Sequence, residues 1–454
     1  MKTVRIGAGA GYSGDRIDPA VELALKGDIS YLVFECLAER TIALAQQLKR
    51  NDPSLGYDPL LTERMEAVLP ICHEKKIRII TNMGAANPVA AAIRTREIAQ
   101  HLGIHGLRIA AITGDDVLDW VIAQNPPILD DEATIEALGD RIVSANAYLG
   151  VEPILEALAN GADIILTGRV ADPSLFLAPL IHEFAWSLDD STLDDASLVN
   201  WPLLGQGTVI GHLLECAGQI TGGYFADPGY KDIPNLARLG FPIAEVGEDG
   251  SAILTKVANS GGRITEATCK EQLLYEIQDP AAYFTPDVIA DFSRVSIREE
   301  APNRIRISGG SGSPRPATLK VSVGCRDGFV GEAQISYAGP GALSRARLAR
   351  EILAERLRDY PLQELRFDFI GVHSIHGDRL SQTSSEPHEV RLRVAARADS
   401  HKLASWIPRE VEALYTNGPA GGGGVSSSIR ETINVLSTLI PRDQISHQIH
   451  YEVS

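Results

Sequence analysis

Short apolar runs rich in β-branched residues alternate with helical patterns between residues 3 and 167. This alternation constrains the fold most, because βα units build a parallel sheet with helices packed on its faces. In the helical stretches apolar residues recur at spacings of three and four. We therefore expect a parallel, Rossmann-like sheet flanked by helices in the N-terminal part of an α/β chain. The candidate strands are Thr3–Ile6, Tyr31–Phe34, Arg78–Thr81, Arg108–Ile112, Arg141–Ser144 and Asp163–Leu166.

The pattern changes in the C-terminal part of the chain. Two β-rich runs, Pro242–Val246 and Ala252–Val257, flank a Glu-Asp-Gly turn and predict a hairpin. Further along, paired strand patterns alternate with helical ones, which is typical of an α+β domain. We predict an α/β ligand-binding domain over residues 1–240 and a smaller α+β domain over residues 241–454, with the boundary between residues 230 and 300.

The acidic balance of the chain excludes some kinds of partner. A formal charge of −17 over 454 residues, with no basic stripe, argues against a nucleic-acid partner. The five cysteines are widely spaced and have no His at metal-ligand spacing, which predicts reduced thiols and no metal site. The sequence shows neither a signal-peptide pattern nor an apolar run of the roughly twenty residues that a membrane helix needs. We expect a soluble cytoplasmic protein, without a membrane partner, that forms a homo-oligomer.

Polar and glycine-rich turns follow the predicted strands. In a parallel α/β sheet ligands bind beyond the carboxyl ends of the strands, so side chains there are candidates for ligand contact. Each turn taken alone is also what a loop or a helix cap requires for backbone reasons. Together, so many polar groups at one sheet edge favour a cleft for a small anionic ligand. The candidate ligand-binding residues are Gly9, Gly11, Ser13, Gly14, Asp15, Arg40, Asn82, Asn87, Thr113, Asp115, Asn146, Thr167, Gly168, Arg169 and Asp172.

The first of these turns contains Gly9-x-Gly11-x-x-Gly14, which has the spacing of a dinucleotide-binding fingerprint. In that fingerprint the helix opens within the glycines, whereas Asp18-Pro19 places the predicted helix start several residues later. The longer loop favours a backbone nest around a phosphate or carboxylate, or simply a close passage of the backbone.

Two cations are candidates for holding an anion. Arg169 follows the sixth strand, where a guanidinium can bind a carboxylate or phosphate through two hydrogen bonds. The alternative is a structural pair with Asp172. Lys256 lies near Ser260 and two glycines, which is typical of an anion pocket but does not match a P-loop.

Glu35, His212 and Glu215 are the candidate catalytic residues. Glu35 ends an apolar strand, where burial would raise the pKa of its carboxyl group. Cys36 beside it is either a nucleophile or, as we favour, a small buried filler. His212 and Glu215 are three apart in a helical pattern and so share one face. That pair suits acid/base work, substrate contact or an interior polar contact better than a metal, because no third ligand is evident.

Five segments carry a family resemblance through their order and spacing. They are Gly7–Asp15, Tyr31–Thr41, Thr167–Asp172, Gly211–Gly223 and Thr285–Phe292. Together they resemble the acyclic terpene utilisation (AtuA-like) family, from residue 1 to about residue 440. The resemblance implies a bacterial cytosolic protein of terpenoid or branched-acid catabolism, found alongside acyl-CoA carboxylases and enoyl-CoA hydratases. It implies no defined reaction and no catalytic residue, and the family's Asn-Ala-Gly-Gly is here Asn82-Met83-Gly84-Ala85.

The leading hypothesis is an enzyme that acts on a small carboxylic acid or its CoA thioester. The chemistry would be proton transfer, or addition and elimination of water, as in a hydratase, lyase or isomerase, without redox chemistry. We expect no cofactor, with CoA present only as part of the substrate, and a pathway carboxylase or hydratase as a protein partner. The alternatives are a nucleotide-dependent oxidoreductase and a non-catalytic partner of an acyl-CoA carboxylase complex.

Overall fold

The computed structural model describes residues 2–188, 200–377, 379–381 and 386–454. The strands are β1 (Thr3–Ala10), β2 (Tyr31–Phe34), β3 (Arg78–Thr81), β4 (Arg108–Thr113), β5 (Ile142–Ala147), β6 (Ile164–Thr167), β7 (Pro242–Gly247), β8 (Ala252–Lys256), β9 (Tyr283–Phe284), β10 (Ile289–Asp291), β11 (Ser296–Ala301), β12 (Arg304–Ser308), β13 (Ser311–Ser313), β14 (Thr318–Ala338), β15 (Gln363–Ile370), β16 (Glu389–Ala398), β17 (Gly423–Pro441) and β18 (Gln448–Val453). The helices are α1 (Asp18–Lys26), α2 (Glu39–Asn51), α3 (Leu61–Lys75), α4 (Pro88–His101), α5 (Leu118–Gln124), α6 (Ile135–Leu138), α7 (Glu152–Ala159), α8 (Ser174–Phe184), α9 (Trp201–Glu215), α10 (Glu266–Leu274), α11 (Ala342–Arg356), α12 (His401–Ala404) and α13 (Trp406–Asn417).

The chain forms two compact units. Unit 1 comprises Met1–Gly324 and Val435–Ser454, and unit 2 comprises Cys325–Asn434. The main sheet of unit 1 has the order β11-β12-β8-β7-β1-β2-β3-β6-β4-β18. Strands β1, β2, β3, β6 and β4 run parallel to one another, and β18, β7, β8, β12 and β11 extend this set by antiparallel pairing. The fold is therefore mixed α/β, with one large mixed sheet.

The structure differs from the predicted organisation at two points. Strand β5, which we expected in the parallel sheet, pairs with β14 instead. Unit 1 also continues past residue 240, because β7 pairs with β1 in the main sheet. The predicted hairpin forms as the antiparallel pair of β7 and β8. A β-hairpin that joins an existing sheet edge therefore extends that sheet instead of starting a new core.

Local sequence explains where the helices near the sheet begin. Asn87 caps α4 by accepting a hydrogen bond from the Ala90 amide (3.4 Å), and Pro88 occupies the first turn. Helix α1 begins only at Asp18, as predicted, so a loop of several residues follows β1. Every residue of β2 and of β6 is buried, as in a sheet with helices on both faces. No helix in the described ranges is long and apolar enough to cross a membrane.

Unit 2 contains paired strands and has its own core. Strand β16 pairs antiparallel with β14 on one side and with β15 on the other. Apolar side chains of β14 and β16, such as Ile335 and Leu392, pack with Leu353 of α11 and Val411 of α13. These residues are fully buried, so unit 2 excludes water from an apolar interior as unit 1 does.

Candidate active site

A cavity of about 1150 Å³ lies in unit 1, where the segments that follow β1, β2 and β6 meet. The end of α9 and later segments around residues 236–241, 275–286 and 316–320 complete its wall. This is the edge of a parallel sheet at which ligands bind. Six of the predicted site residues line the cavity: Gly11, Ser13, Asp15, Glu35, Asp172 and Glu215.

Glu35 stands at the end of the fully buried strand β2 and is itself buried. Its Oε1 accepts hydrogen bonds from the Asn82 amide nitrogen Nδ2 (2.9 Å) and from the Leu37 backbone N–H (2.8 Å). Burial, together with the charge of Asp172, raises the pKa of Glu35 to about 8, although Arg169 and the two hydrogen bonds partly offset them. At neutral pH the carboxyl group therefore holds a proton that it can donate.

Glu215 ends α9 and forms a pair with His212. Oε1 of Glu215 lies 2.8 Å from Nδ1 of His212, and Nε2 of His212 lies 3.1 Å from the Gln272 carbonyl. Because a carbonyl accepts, Nε2 carries a hydrogen, and one further proton is shared between Nδ1 and Oε1. Burial raises the pKa of Glu215 to about 7, although His212 opposes this shift. Oε2 of Glu215 is buried without a hydrogen-bond partner, at a carboxyl group that lines the cavity.

His212 itself does not line the cavity. Its ring packs against those of Tyr283 and Phe292, with centroid distances of 5.7 and 5.4 Å. Burial alone would lower the pKa of His212, but the attraction of Glu215 and its hydrogen bonds raise it above the ordinary value. His212 therefore contacts the cavity wall through Glu215.

The sequence leaves two interpretations of Arg169 open, an anion ligand and a structural partner of Asp172. Its guanidinium is fully buried and donates to the carbonyls of Leu37 and Val170 and to the carboxylate of Asp172. It also lies 4.6 Å from the centroid of the Tyr148 ring. Since each of its nitrogens has an acceptor, and since Arg169 is not in the cavity wall, the structural pair with Asp172 is the arrangement observed.

The amides of the first loop bind the chain's own carboxylate. Asp15 accepts hydrogen bonds from the backbone N–H groups of Gly11 (2.9 Å) and Arg16 (2.8 Å). Burial raises the pKa of Asp15 above its ordinary value. The nest that we expected around a ligand phosphate or carboxylate is thus occupied by a side chain four residues further on.

The glycines of this loop serve close packing. A Cβ on Gly11 would lie 2.5 Å from the backbone carbonyl carbon of Cys216, directly after α9. A Cβ on Gly9, which lies inside β1, would lie 2.7 Å from the ring of Phe34. A Cβ on Gly14 would likewise lie 2.7 Å from the ring of Tyr12. Of the two interpretations open for this loop, the structure shows close passage of the backbone.

A buried arginine that the sequence did not single out fixes the first loop. Arg64 on α3 is fully buried and donates to the carbonyls of Tyr12 (3.4 Å), Ser13 (2.8 Å) and Asp15 (3.2 Å). It also pairs with Asp58 (3.1 Å) and lies 3.2 Å from the Sγ of Cys36. Burial raises the pKa of the Cys36 thiol, and Cys36 is not in the cavity wall, which favours the buried filler over the nucleophile.

The remaining predicted residues serve the scaffold around the cavity. Asp115 accepts hydrogen bonds from Asn146 and from the Arg169 N–H (both 2.9 Å), and a Cβ on Gly168 would lie 2.5 Å from its carboxylate. The hydroxyl of Thr167 donates to the Gly168 carbonyl. These contacts lie at β4, β5 and β6, and β4 is separated from β1 by three strands.

Two other residues that we expected to contact a ligand form hydrogen bonds with other parts of the chain. Lys256 donates to the carbonyl and the hydroxyl of Ser260 (2.7 and 3.0 Å). Thr113 donates to the Gln448 carbonyl (3.5 Å). The predicted site residues outside the cavity wall are Gly9, Gly14, Arg40, Asn82, Asn87, Thr113, Asp115, Asn146, Thr167, Gly168, Arg169, His212, Lys256 and Ser260.

Tertiary structure adds wall residues that sequence patterns did not indicate. Glu39 accepts a hydrogen bond from the Tyr148 hydroxyl (2.6 Å) and pairs with Lys320 (3.3 Å). Burial would raise the pKa of Glu39, but these partners lower it to about 2. Glu39 could have been suspected from its place next to β2, whereas Lys320 is distant in sequence and no sequence pattern pointed to it.

The apolar part of the wall includes Leu37, Leu236, Leu239, Phe241, Tyr283, Phe284, Leu319 and Leu439.

The charged side chains of the wall are mostly acidic. Its cations, Arg16 and Lys320, pair with Asp18 and Glu39. No group of three or more His, Cys, Asp or Glu residues in the part of the chain that the structure describes is arranged to hold a metal ion. The acidic members of the wall are Asp15, Glu35, Glu39, Asp172, Glu215 and Glu276.

The family model described as acyclic terpene utilisation family protein AtuA matches residues 4–451. The chain belongs to this family. Membership covers nearly the whole chain and implies a role in acyclic terpene utilisation. Neither the curated proteins nor the solved structures contain a significant match to the chain.

Proposed function

We propose that this protein is an enzyme of acyclic terpene utilisation that acts on a branched, largely apolar acid, bound as its CoA thioester, by non-redox acid/base chemistry. One observation carries the proposal: Glu35 and Glu215, with pKa values raised to about 8 and about 7, line the same cavity. A proton-transfer group works best when its pKa lies near the working pH. Buried carboxyl groups with such values are typical of catalytic sites.

The two carboxyl groups have complementary roles. Glu35, protonated at neutral pH, donates its proton to a substrate carbon. Glu215, whose Oε1 is held by His212 and whose Oε2 has no partner, accepts a proton. In an isomerisation Glu215 takes a proton from one carbon of the substrate and Glu35 gives one to another. In a hydration Glu215 takes the proton of a water molecule whose oxygen adds to the double bond, while Glu35 protonates the other carbon.

The composition of the wall favours the thioester over the free acid. A free carboxylate would stand among six acidic side chains, and both wall cations are already paired. A thioester carbonyl is uncharged and avoids that repulsion. The apolar side chains of Leu239, Phe241 and Leu319 suit a hydrocarbon chain. The first loop gives no support to a nucleotide-dependent oxidoreductase, because its amides are bound to Asp15.

The test uses purified full-length protein and a panel of methyl-branched saturated and α,β-unsaturated acyl-CoA thioesters. Hydration is followed by loss of enoyl absorbance and isomerisation by incorporation of solvent deuterium into the acyl chain. Glu35→Gln and Glu215→Gln should each lower turnover by about 10²- to 10⁴-fold, because each removes one proton-transfer group.

Glu74→Gln is the matched control, because Glu74 is exposed on α3 and does not line the cavity. It should leave turnover unchanged. Wild-type turnover in both cavity variants, with folding intact, would contradict the proposal. Stable co-purification with an acyl-CoA carboxylase, without turnover of any thioester, would favour the non-catalytic partner instead.

A further inference from the structure

A second groove, of about 1040 Å³, adjoins the candidate active-site cavity in unit 1. Tyr275 and Glu276 line both spaces. Tyr224 lines the cavity, and the next residue, Phe225, lines the groove. The two spaces therefore adjoin at these residues.

The groove differs from the cavity in its charged groups. The cavity wall has two cations and six carboxylates, whereas the groove has three of each. Arg263 is exposed and makes no ion pair within the described ranges. Lys231 pairs with Glu271 (2.5 Å) and Lys270 with Glu266 (3.0 Å), on the surface, where such pairs contribute little. An incoming phosphate can take the place of these partners.

Aromatic side chains lie among these cations. The Lys231 ammonium lies 4.6 Å from the centroid of the Phe225 ring. Tyr230 is 89% exposed, so its ring is open to stacking. Proteins commonly bind nucleotides by combining cations, which contact the phosphates, with aromatic side chains, which stack on the base.

The boundary between the two spaces is built from backbone in an unfavourable conformation. Tyr224 has φ of 60° and Glu276 has φ of 59°, both in the left-handed region although neither is a glycine. Such backbone conformations are unfavourable and persist where the surrounding structure imposes them, which is often at a ligand site. Both of them lie where the cavity and the groove meet.

We infer that this groove binds the nucleotide end of a CoA thioester, whose acyl chain passes Tyr275 and Glu276 into the cavity. The inference rests on the proposed function, because it assumes that the cavity takes the acyl part. Phosphates find no unpaired cation in the cavity wall. Arg263 offers one in the groove, and a guanidinium fits a phosphate through two parallel hydrogen bonds.

The first experiment measures binding of adenosine 3′,5′-bisphosphate, a fragment of CoA, to the full-length protein by calorimetry. Arg263→Ala should weaken binding by about ten- to a hundredfold, since a charged hydrogen-bond donor is lost. Tyr230→Ala should weaken it through lost stacking. Arg347→Ala, an exposed arginine that lines neither space, should leave it unchanged. No binding by the wild type, pyrophosphate binding as tight as the nucleotide, or equal binding by Arg263→Ala and the wild type would each overturn the inference.

The second experiment separates this inference from the proposed function. It compares a CoA thioester with the thioester of N-acetylcysteamine that carries the same acyl chain and has no nucleotide. The ratio of kcat/KM between the two should fall at least tenfold in Arg263→Ala and stay constant in Arg347→Ala. If the wild type turns over both thioesters with equal KM, the groove inference fails while the proposed function stands. If it turns over neither, the proposed function fails, and nucleotide binding alone decides the groove.

Discussion

Glu35 and Glu39 are chemically identical side chains, four positions apart, with opposite pKa shifts. Burial next to Asp172 raises the pKa of Glu35 to about 8. Glu39 is held by the Tyr148 hydroxyl and lies near Lys320, which lowers its pKa to about 2 in spite of burial. The difference between an acid and a permanent anion is thus set by neighbours that come from elsewhere in the chain.

The raised pKa of Glu35 has a consequence for stability. The unfolded carboxyl group titrates near pH 4.3, so between about pH 4.3 and 8 the folded protein binds more protons than the unfolded chain. Stability therefore falls as pH rises through this window. Glu35→Gln does not titrate and keeps an acceptor for Asn82 and Leu37. Its stability relative to the wild type should rise by roughly 3 kcal/mol between pH 5 and pH 8, measured by urea unfolding.

Gln100→Ala, at an exposed position of α4 and without an ionisable group, is the control for this prediction, and its stability difference from the wild type should not change over the same pH range. A constant difference for Glu35→Gln as well would show that Glu35 ionises normally in the folded protein.

Arg64 should be among the residues that the fold tolerates least. Arg64→Met removes the donor to three loop carbonyls and leaves the Asp58 carboxylate buried without its cation. We expect a loss of about 3–5 kcal/mol in the free energy of unfolding. Adding Asp58→Asn should recover part of it, because the unpaired charge is then removed. A loss under about 1 kcal/mol for Arg64→Met would contradict this account of the loop.

At the scale of elements, the cavity depends on how closely the loop after β1 approaches the end of α9. Gly11→Ala would place a methyl group 2.5 Å from the Cys216 backbone and push the two segments apart. Overpacking of this kind costs typically 1–3 kcal/mol, and we expect that loss in urea unfolding. Gly423→Ala, at a position with no atom within 4 Å of the new Cβ, should stay within about 0.5 kcal/mol. Equal effects of the two variants would contradict the close approach.

Strand order accounts for part of the cavity wall. Strands β1 and β2 are neighbours and supply Gly11, Asp15 and Glu35, whereas Asn82 after β3 lies outside the wall and Asp172 after β6 lines it. Three strands lie between β1 and β4, and β5 pairs with β14. Asp115 and Asn146, at the ends of β4 and β5, therefore bind each other instead of the cavity.

At the scale of the whole molecule, each of the two units has an apolar core of its own. Ile165 is fully buried in unit 1 and Leu392 in unit 2. Because each core excludes water by itself, we expect two unfolding transitions in calorimetry. Ile165→Ala and Leu392→Ala should each lower one transition, by about 2–5 kcal/mol in unfolding free energy, and leave the other in place. A single transition that both variants shift would show that the units unfold as one.

The sequence by itself determined the features that depend on short stretches of chain. Apolar runs placed β2 and β3 at their observed bounds, Asp18-Pro19 placed the late start of α1, and motif order identified the family. It also placed Glu35 at the end of a buried strand, because a fully apolar run predicts burial. These signals are local, since strand and helix patterns repeat within a few residues.

Only the tertiary structure decided which polar groups face the cavity. Arg169 donates hydrogen bonds to Asp172 and to two backbone carbonyls. Asp15 accepts a hydrogen bond from a backbone N–H of its own loop. Lys320 pairs with Glu39 although the two residues are 281 positions apart in the chain. The physical reason is that a buried polar side chain must form hydrogen bonds, and the groups available to it are those that folding brings near. Partners distant in sequence leave no pattern in any short stretch, so their identity appears only once the sheet order is known.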